Sequence, residues 1–270
     1  MKPTIAVIIP TYGHFEYAAR AVESAYHNTT ACTSRVVVVD DASPEWLYLD
    51  EEDAPGRLRS VLESIPPENK YVHRFDKNGG LTRSWNAGLD IAASLRCDYA
   101  CCGNSDLIFS PGWDRAITLA LSRGLALAGP VTNAPGSEAD QHVNKVWPSY
   151  VVRDDDWYLA QLAEALWSEY EDRAIEATIN GFCMVARTAT WHSNAFDRDH
   201  VFCPRNDFNS KGQRNSTPLM TLNEYELQRR WHKAGLKTGY CPGSFVFHYR
   251  SVSRGDKFAK GQGYRIGKSD

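Results

Sequence analysis

Two uninterrupted apolar runs of strand length constrain this chain more than any other feature. Thr4-Ile5-Ala6-Val7-Ile8-Ile9 and Arg35-Val36-Val37-Val38-Val39 show no alternation of apolar and polar residues. A strand with one wet face alternates, whereas a continuous run suits a strand covered on both faces, as in a parallel sheet between helices. Between the two runs, Phe15, Ala18, Ala19, Val22, Ala25 and Tyr26 recur at the spacing of an amphipathic helix. Strand, helix, strand reads as a right-handed βαβ unit. Each run stops at polar residues, Pro10-Thr11-Tyr12-Gly13 after the first and Asp40-Asp41-Ala42-Ser43 after the second. Open α/β sheets bind ligands beyond the carboxyl ends of their strands, so both turns are candidate ligand-facing segments.

The alternation continues along the chain. Strands are expected over residues 71–75, 99–102, 126–133, 179–186 and 244–249, with helices over 58–64, 113–121, 162–170 and from 222 to 231. With 43% apolar residues, the 270-residue chain can bury one large α/β domain. After residue 133 the composition turns polar, through Pro135-Gly136 to Asp154-Asp155-Asp156. The expected fold class is therefore α/β: a Rossmann-like, mostly parallel central sheet flanked by helices, in a single compact domain of two abutting halves. The halves are residues 1–133 and 134–250, and a tail over 251–270 carries Arg254, Lys257, Lys260, Arg265 and Lys268. Residues 202–219 lack periodicity, as a lid, a binding loop or a disordered segment would. Trp147, Trp157, Trp167 and Trp191 are expected in the core.

The turns offer specific chemistry. The first βα turn has one glycine and no G-x-G-x-x-G, which argues against a nicotinamide-dependent oxidoreductase. Asp40 or Asp41 can accept N–H or O–H donors from a base or ribose, and Tyr12 can stack on a base. Gly79-Gly80 lets the backbone approach a ligand, with Arg83 as a phosphate partner; a plain helix cap with an exposed arginine is the alternative. Asn104-Ser105-Asp106 follows a buried strand, and Asp106 is a hard oxygen ligand suited to Mg2+ or Mn2+; a simple capping turn is the competing reading. A net charge of −3 provides no global basic field for nucleic acid. Seven scattered cysteines without a C-x-x-C suit a reducing, cytoplasmic compartment, with Cys101 and Cys102 as small core residues. No run has the length of a membrane span, so any membrane role is expected to be peripheral.

Six segments, in order, resemble family 2 glycosyltransferases of the GT-A fold. They are Val7-Ile8-Ile9-Pro10-Thr11-Tyr12 with Val39-Asp40-Asp41-Ala42-Ser43; Asn78 through Leu89, similar to an N-x-G…N-x-G segment; and Asn104-Ser105-Asp106 with Pro111-Gly112-Trp113. The others are Gly129-Pro130-Val131-Thr132-Asn133 with Asn180-Gly181-Phe182-Cys183-Met184; Asn223-Glu224-Tyr225-Glu226-Leu227 with Arg230 and Gly235; and Phe247-His248-Tyr249-Arg250-Ser251. The third and fourth are similar to a rhamnosyltransferase-like subgroup, with Asn104 where the DxD motif has its first acid. Asn223-Glu224 stands where the family has E-D.

The resemblance implies a donor-binding half at 1–133 and an acceptor half at 134–250 carrying the base helix. Pro10, Thr11, Tyr12, Asp40, Asp41, Asn78, Gly80, Arg83, Asn104 and Ser105 would hold a UDP-, dTDP- or GDP-linked sugar. Asp106 with His248 would hold Mn2+ or Mg2+, and Glu224 would be the catalytic base of an inverting transfer to a saccharide or glycoconjugate hydroxyl. Alternatives are transfer to a modified DNA base and a catalytically weak sugar-nucleotide- or glycan-binding protein on the same fold.

Overall fold

The computed structural model describes residues 2–44, 54–136, 139–203 and 223–249. The first apolar run forms β1 (Thr4–Thr11) and the second β2 (Thr33–Asp40), paired in parallel with Thr11 opposite Asp40. Between them lies α1 (Phe15–Asn28). Chain order continues with α2 (Ala54–Ser64), β3 (Lys70–Arg74), α3 (Leu81–Ser94), β4 (Tyr99–Gly103), β5 (Leu107–Phe109), α4 (Asp114–Ser122) and β6 (Leu127–Val131). Then come α5 (Asp156–Tyr170), β7 (Ile175–Glu176), β8 (Cys183–Arg187), α6 (Thr188–Ser193), α7 (Asn223–Lys233) and β9 (Thr238–His248). The sheet order is β3-β2-β1-β4-β8-β6-β9-β5, with β7 also on β9. β1 pairs in parallel with β2 and β4, β2 with β3, and β6 with β9, while β8, β5 and β7 join antiparallel.

The continuous apolar runs divide between two helical layers. Ile5, Val7 and Ile9 pack with Phe15, Ala18 and Val22 of α1. Ala6 and Ile8 pack on the opposite face with Trp85 and Leu89 of α3. Alternation is thus present in direction and absent in polarity, because both faces are dry. Gly88 lets α3 close on the sheet, since a Cβ there would lie 2.2 Å from Ile8 Cγ2. The turn from α1 into β2 is held by the wholly buried Asp114, whose carboxylate accepts from the amides of Thr30, Ala31 and Cys32 at 2.8–2.9 Å.

Tertiary pairing altered several expected elements. Residues 107–109 form their own strand, because β9 offers them an antiparallel partner. The strand expected over 179–186 begins only at Cys183, and residues 179–182 turn instead. β9 is longer than expected, with Pro242-Gly243-Ser244 standing out where the β6 register jumps from Cys241 to Phe245. That bulge carries β9 from its pairing with β6 and β7 to its pairing with β5. All seven cysteines are buried and free, including Cys101 and Cys102. Trp191 is fully buried, donating from its indole to Ala100 O, but Trp157 is 68% exposed, contrary to the core expectation. Among the described residues, no helix is long and apolar enough to cross a membrane. The basic tail and most of the expected loop at 202–219 lie outside the described residues.

Candidate active site

The carboxyl ends of β1 and β2 meet at two turns that are bonded to each other. Gly13 N donates to Ser43 Oγ at 2.8 Å, and Thr11 Oγ1 donates to Gly13 O at 2.9 Å. Pro10 and Thr11 are buried, whereas Tyr12 is half-exposed at the rim. The adjacent acids have separate duties. Asp40 is fully buried, pairs with Arg74 at 2.6 Å and accepts from the Ser43 hydroxyl. Burial raises its pKa above the usual carboxylate value. Asp41 accepts from Gly79 N, from Gly80 N at 2.6 Å and from Arg83 Nη2 at 2.6 Å. Gly80 has φ 87°, a conformation glycine adopts without cost, which turns both amides toward one carboxylate. Arg83 lies 3.7 Å over the Phe75 ring and flat against Gly79. Arg83 is therefore the partner of Asp41 as well as a candidate phosphate contact. Asn78 is exposed beside this cluster.

The second part of the site forms where β4 ends and β5 meets β9. Leu107 pairs with His248, and Tyr249 N donates to Asp106 O at 3.0 Å. This brings Asp106 Oδ1 to 3.3 Å from His248 Nε2. His248 Nδ1 lies 3.0 Å from Ala134 O, a contact that requires a proton on Nδ1, so that in the neutral ring the lone pair is on Nε2. Asn104 Nδ2 donates toward that lone pair at 3.5 Å. In the neutral ring a carboxylate oxygen and an imidazole lone pair face each other, both nearly buried, with half-buried Asn104 and Ser105 alongside. A proton on Nε2 or a cation would relieve the opposition. A hard oxygen with one imidazole suits Mn2+ or Mg2+. Among the described residues, no group of three or more His, Cys, Asp or Glu could hold a metal, so further ligands would be diphosphate or water oxygens. Tyr249 anchors the strand end: its phenol donates to Asp154 and accepts from Arg20, both at 2.6 Å.

Glu224 lies in the first turn of α7, half-buried. Its side chain rests on Gly181, where a Cβ would fall 2.9 Å from the Glu224 carboxyl carbon. α7 is docked by the buried Gln228, whose carboxamide accepts from Ile179 N and donates to Ile179 O, both at 2.8 Å. Asn223 Nδ2 donates to Thr82 Oγ1, joining α7 to the turn of α3 that follows Gly80. The neighbouring acid, Glu226, is buried and pairs with Arg230. Residues 181 and 182 connect the parts: Gly181 supports Glu224, while Phe182 stacks on His248 at 5.4 Å and accepts from Asn104 N at 2.9 Å. Glu224 thus rests on one residue, and His248 and Asn104 on the next.

Sequence reasoning did not assign roles to Asn133, Gln228 or Phe182. Asn133 bonds both main-chain groups of His248. Amide side chains at the end of an apolar strand and in a polar helix face carry little local signal, since their partners lie 115 and 49 residues away. Asn133 and Phe182 lay within segments that resemble the family, without a role of their own.

A family model described as glycosyl transferase family 2 matches residues 6–147. No curated protein matches the chain. Among solved structures, one described as GalNAc-T7 with UDP, GalNAc and Mn2+ has a TM-score of 0.61 and 13% identity, covering 92% of this chain and 44% of that one. A mannosyltransferase, PcManGT from Pyrobaculum calidifontis, in complex with GDP-Man and Mn2+, has a TM-score of 0.58 and 13% identity, covering 92% and 57%. S. aureus TarS 1-349 has a TM-score of 0.55 and 15% identity, covering 92% and 60%. The chain spans about half the length of these structures, and the likeness is one of fold.

Proposed function

The chain belongs to glycosyl transferase family 2, and from that premise we propose that it is an inverting, metal-dependent transferase moving a hexosyl or deoxyhexosyl group from a nucleoside-diphosphate donor to an acceptor hydroxyl. The observation that supports this reading is that consecutive residues, Gly181 and Phe182, contact Glu224 and the His248 of the Asp106–His248 pair respectively. Residues 1–133 serve the donor and 134–250 the acceptor. The Asn104-Ser105-Asp106 and Asn180-Gly181-Phe182 segments support a rhamnosyltransferase-like member. The acceptor is a saccharide or glycoconjugate. Seven buried free thiols suit a cytoplasmic compartment.

Asp106 and His248 would hold Mn2+ or Mg2+; when bound, the ion supplies Lewis-acid neutralisation of the leaving diphosphate. Asp41, with the glycine amides and Arg83 gathered on it, reads polar donors of the base, and Tyr12 covers a ring face. Glu224 accepts the acceptor hydroxyl's proton as that oxygen attacks the anomeric carbon. The new carbon–oxygen bond forms as the bond to the diphosphate breaks, and a single displacement inverts the centre. Glu224 sits in the first turn of its helix, where a carboxylate is stabilised.

The test is calorimetric titration with UDP, GDP, dTDP and CDP, each with and without Mn2+. Manganese-dependent binding of one nucleotide, abolished by Asp106→Ala, is expected. Absence of binding by every nucleotide would defeat the donor site.

A further inference from the structure

β6 ends at Val131, which pairs with Phe245, three strand positions short of His248 on its parallel neighbour β9. On the other side, His248 stands opposite Leu107 of β5. Its own amide and carbonyl therefore face the space that β6 has left, where unpaired main-chain groups would be costly. The side chain of Asn133 occupies that space. Its Oδ1 accepts from His248 N at 2.8 Å and its Nδ2 donates to His248 O at 3.0 Å. One carboxamide thus supplies the two bonds a strand residue would have made. The donor–acceptor pairing fixes which end of the amide is which. Thr132 Oγ1 also donates to Asn133 Oδ1, at 3.3 Å, and Asn133 is 5% exposed. The next residue, Ala134, presents its carbonyl to His248 Nδ1 at 3.0 Å. Residues 133 and 134 thereby hold both the backbone and the ring of His248.

We infer that Asn133 is a positioning residue for His248: it holds the histidine main chain so that Ala134 O selects the Nδ1–H tautomer and Nε2 presents its lone pair to Asp106. This rests on the proposed donor site only for the use of that lone pair, not for the clamp itself. Partners behind a metal-binding imidazole that fix its tautomer typically change metal affinity 10- to 100-fold when removed. Asn133 touches neither substrate nor ion in this role, so it acts only through His248.

The experiment has two readouts. The first is 15N NMR of the His248 ring in the metal-free protein at alkaline pH. Wild type should show a single Nδ1–H tautomer, and Asn133→Ala should show averaging between tautomers. The second is Mn2+ affinity by calorimetry in the presence of the nucleotide that binds. A loss of about 10- to 100-fold is expected for Asn133→Ala, with no further loss when the same change is made in His248→Ala. Asn133→Asp keeps the acceptor for His248 N and the side-chain volume, and loses the bond to His248 O. It should lie between the two, and it serves as the test if Asn133→Ala does not fold. An unchanged tautomer and an affinity within twofold of wild type would overturn the clamp, as would an equal loss in the His248→Ala background. If the tautomer averages as expected while no protein binds Mn2+, the clamp stands and the metal reading falls.

Discussion

Gly181→Ala is the sharpest perturbation of the candidate base, because it adds one methyl group and changes no charge. A Cβ at residue 181 falls 2.9 Å from the carboxyl carbon of Glu224 and 3.2 Å from its Cβ and Cγ. Non-bonded carbons rest at about 3.5–4.0 Å, so the carboxyl group must retreat by roughly 0.6 Å or more. Gly181 is not among the positive-φ glycines, so alanine brings no backbone strain there. The Glu224 side chain is half-buried and has three torsions through which to yield. The stability cost is therefore at the low end for overpacking, about 1 kcal/mol. Catalysis is less forgiving, since misplacing a reacting group by about 1 Å costs on the order of 100-fold. We expect kcat to fall about 10- to 100-fold, with nucleotide affinity preserved because the Asp41 cluster is untouched. The assay is release of nucleoside diphosphate from the sugar nucleotide that binds, alongside calorimetry and thermal unfolding of the same samples. A wild-type rate in a folded Gly181→Ala protein would refute the placement of Glu224 at the reacting centre. Equal loss of binding and rate would show that residue 181 serves the donor instead.

Glu224→Gln should leave stability within about 0.5 kcal/mol of wild type while lowering turnover about 100-fold or more. Glu226→Ala should behave oppositely: it removes the carboxylate partner of the Arg230 guanidinium, which keeps Asn194 O and Val201 O as acceptors, and should cost about 1–2 kcal/mol in urea unfolding. If Glu226→Ala stops turnover without destabilising, the two acids have been assigned the wrong way round. Asp98 accepts from Thr4 N at 2.7 Å and Thr4 Oγ1 at 3.0 Å, and these bonds lower its pKa. A carboxyl with a depressed folded pKa stabilises above the unfolded carboxylate range, and its contribution fades as pH falls through the folded value. Asp98→Asn should therefore cost about 1 kcal/mol at neutral pH, and the deficit should shrink as pH falls below the ordinary carboxylate value of about 4. A deficit equally large in acid would show that the charge contributes nothing.

Much of the framework is legible from local pattern. The two apolar runs announce strands with two dry faces, and the helix between them carries a clear stripe, because burial acts on consecutive residues. The polar residues that stop β1, β2 and β4 mark the ligand side, since backbone leaving a buried sheet must turn where water or ligand can reach it. Asp106, Glu224 and His248 are likewise visible as chemistry-bearing residues at element ends.

Their mutual arrangement is a tertiary matter. Asp40 and Asp41 are neighbours of one residue type, yet Arg74 and Ser43 draw the first inward while Gly79, Gly80 and Arg83 gather on the second. β5 exists because β9 pairs with it, and β9 reaches it only through the bulge at Pro242-Gly243-Ser244. Asn133 acquires its role because β6 stops short of His248. The sequence by itself determined the two-faced strands β1 and β2, the helix between them and the chemical types at the element ends, through local propensity and burial. The pairing of those types into a site was decided by hydrogen bonds and contacts between residues distant in the chain, whose geometry no local pattern records.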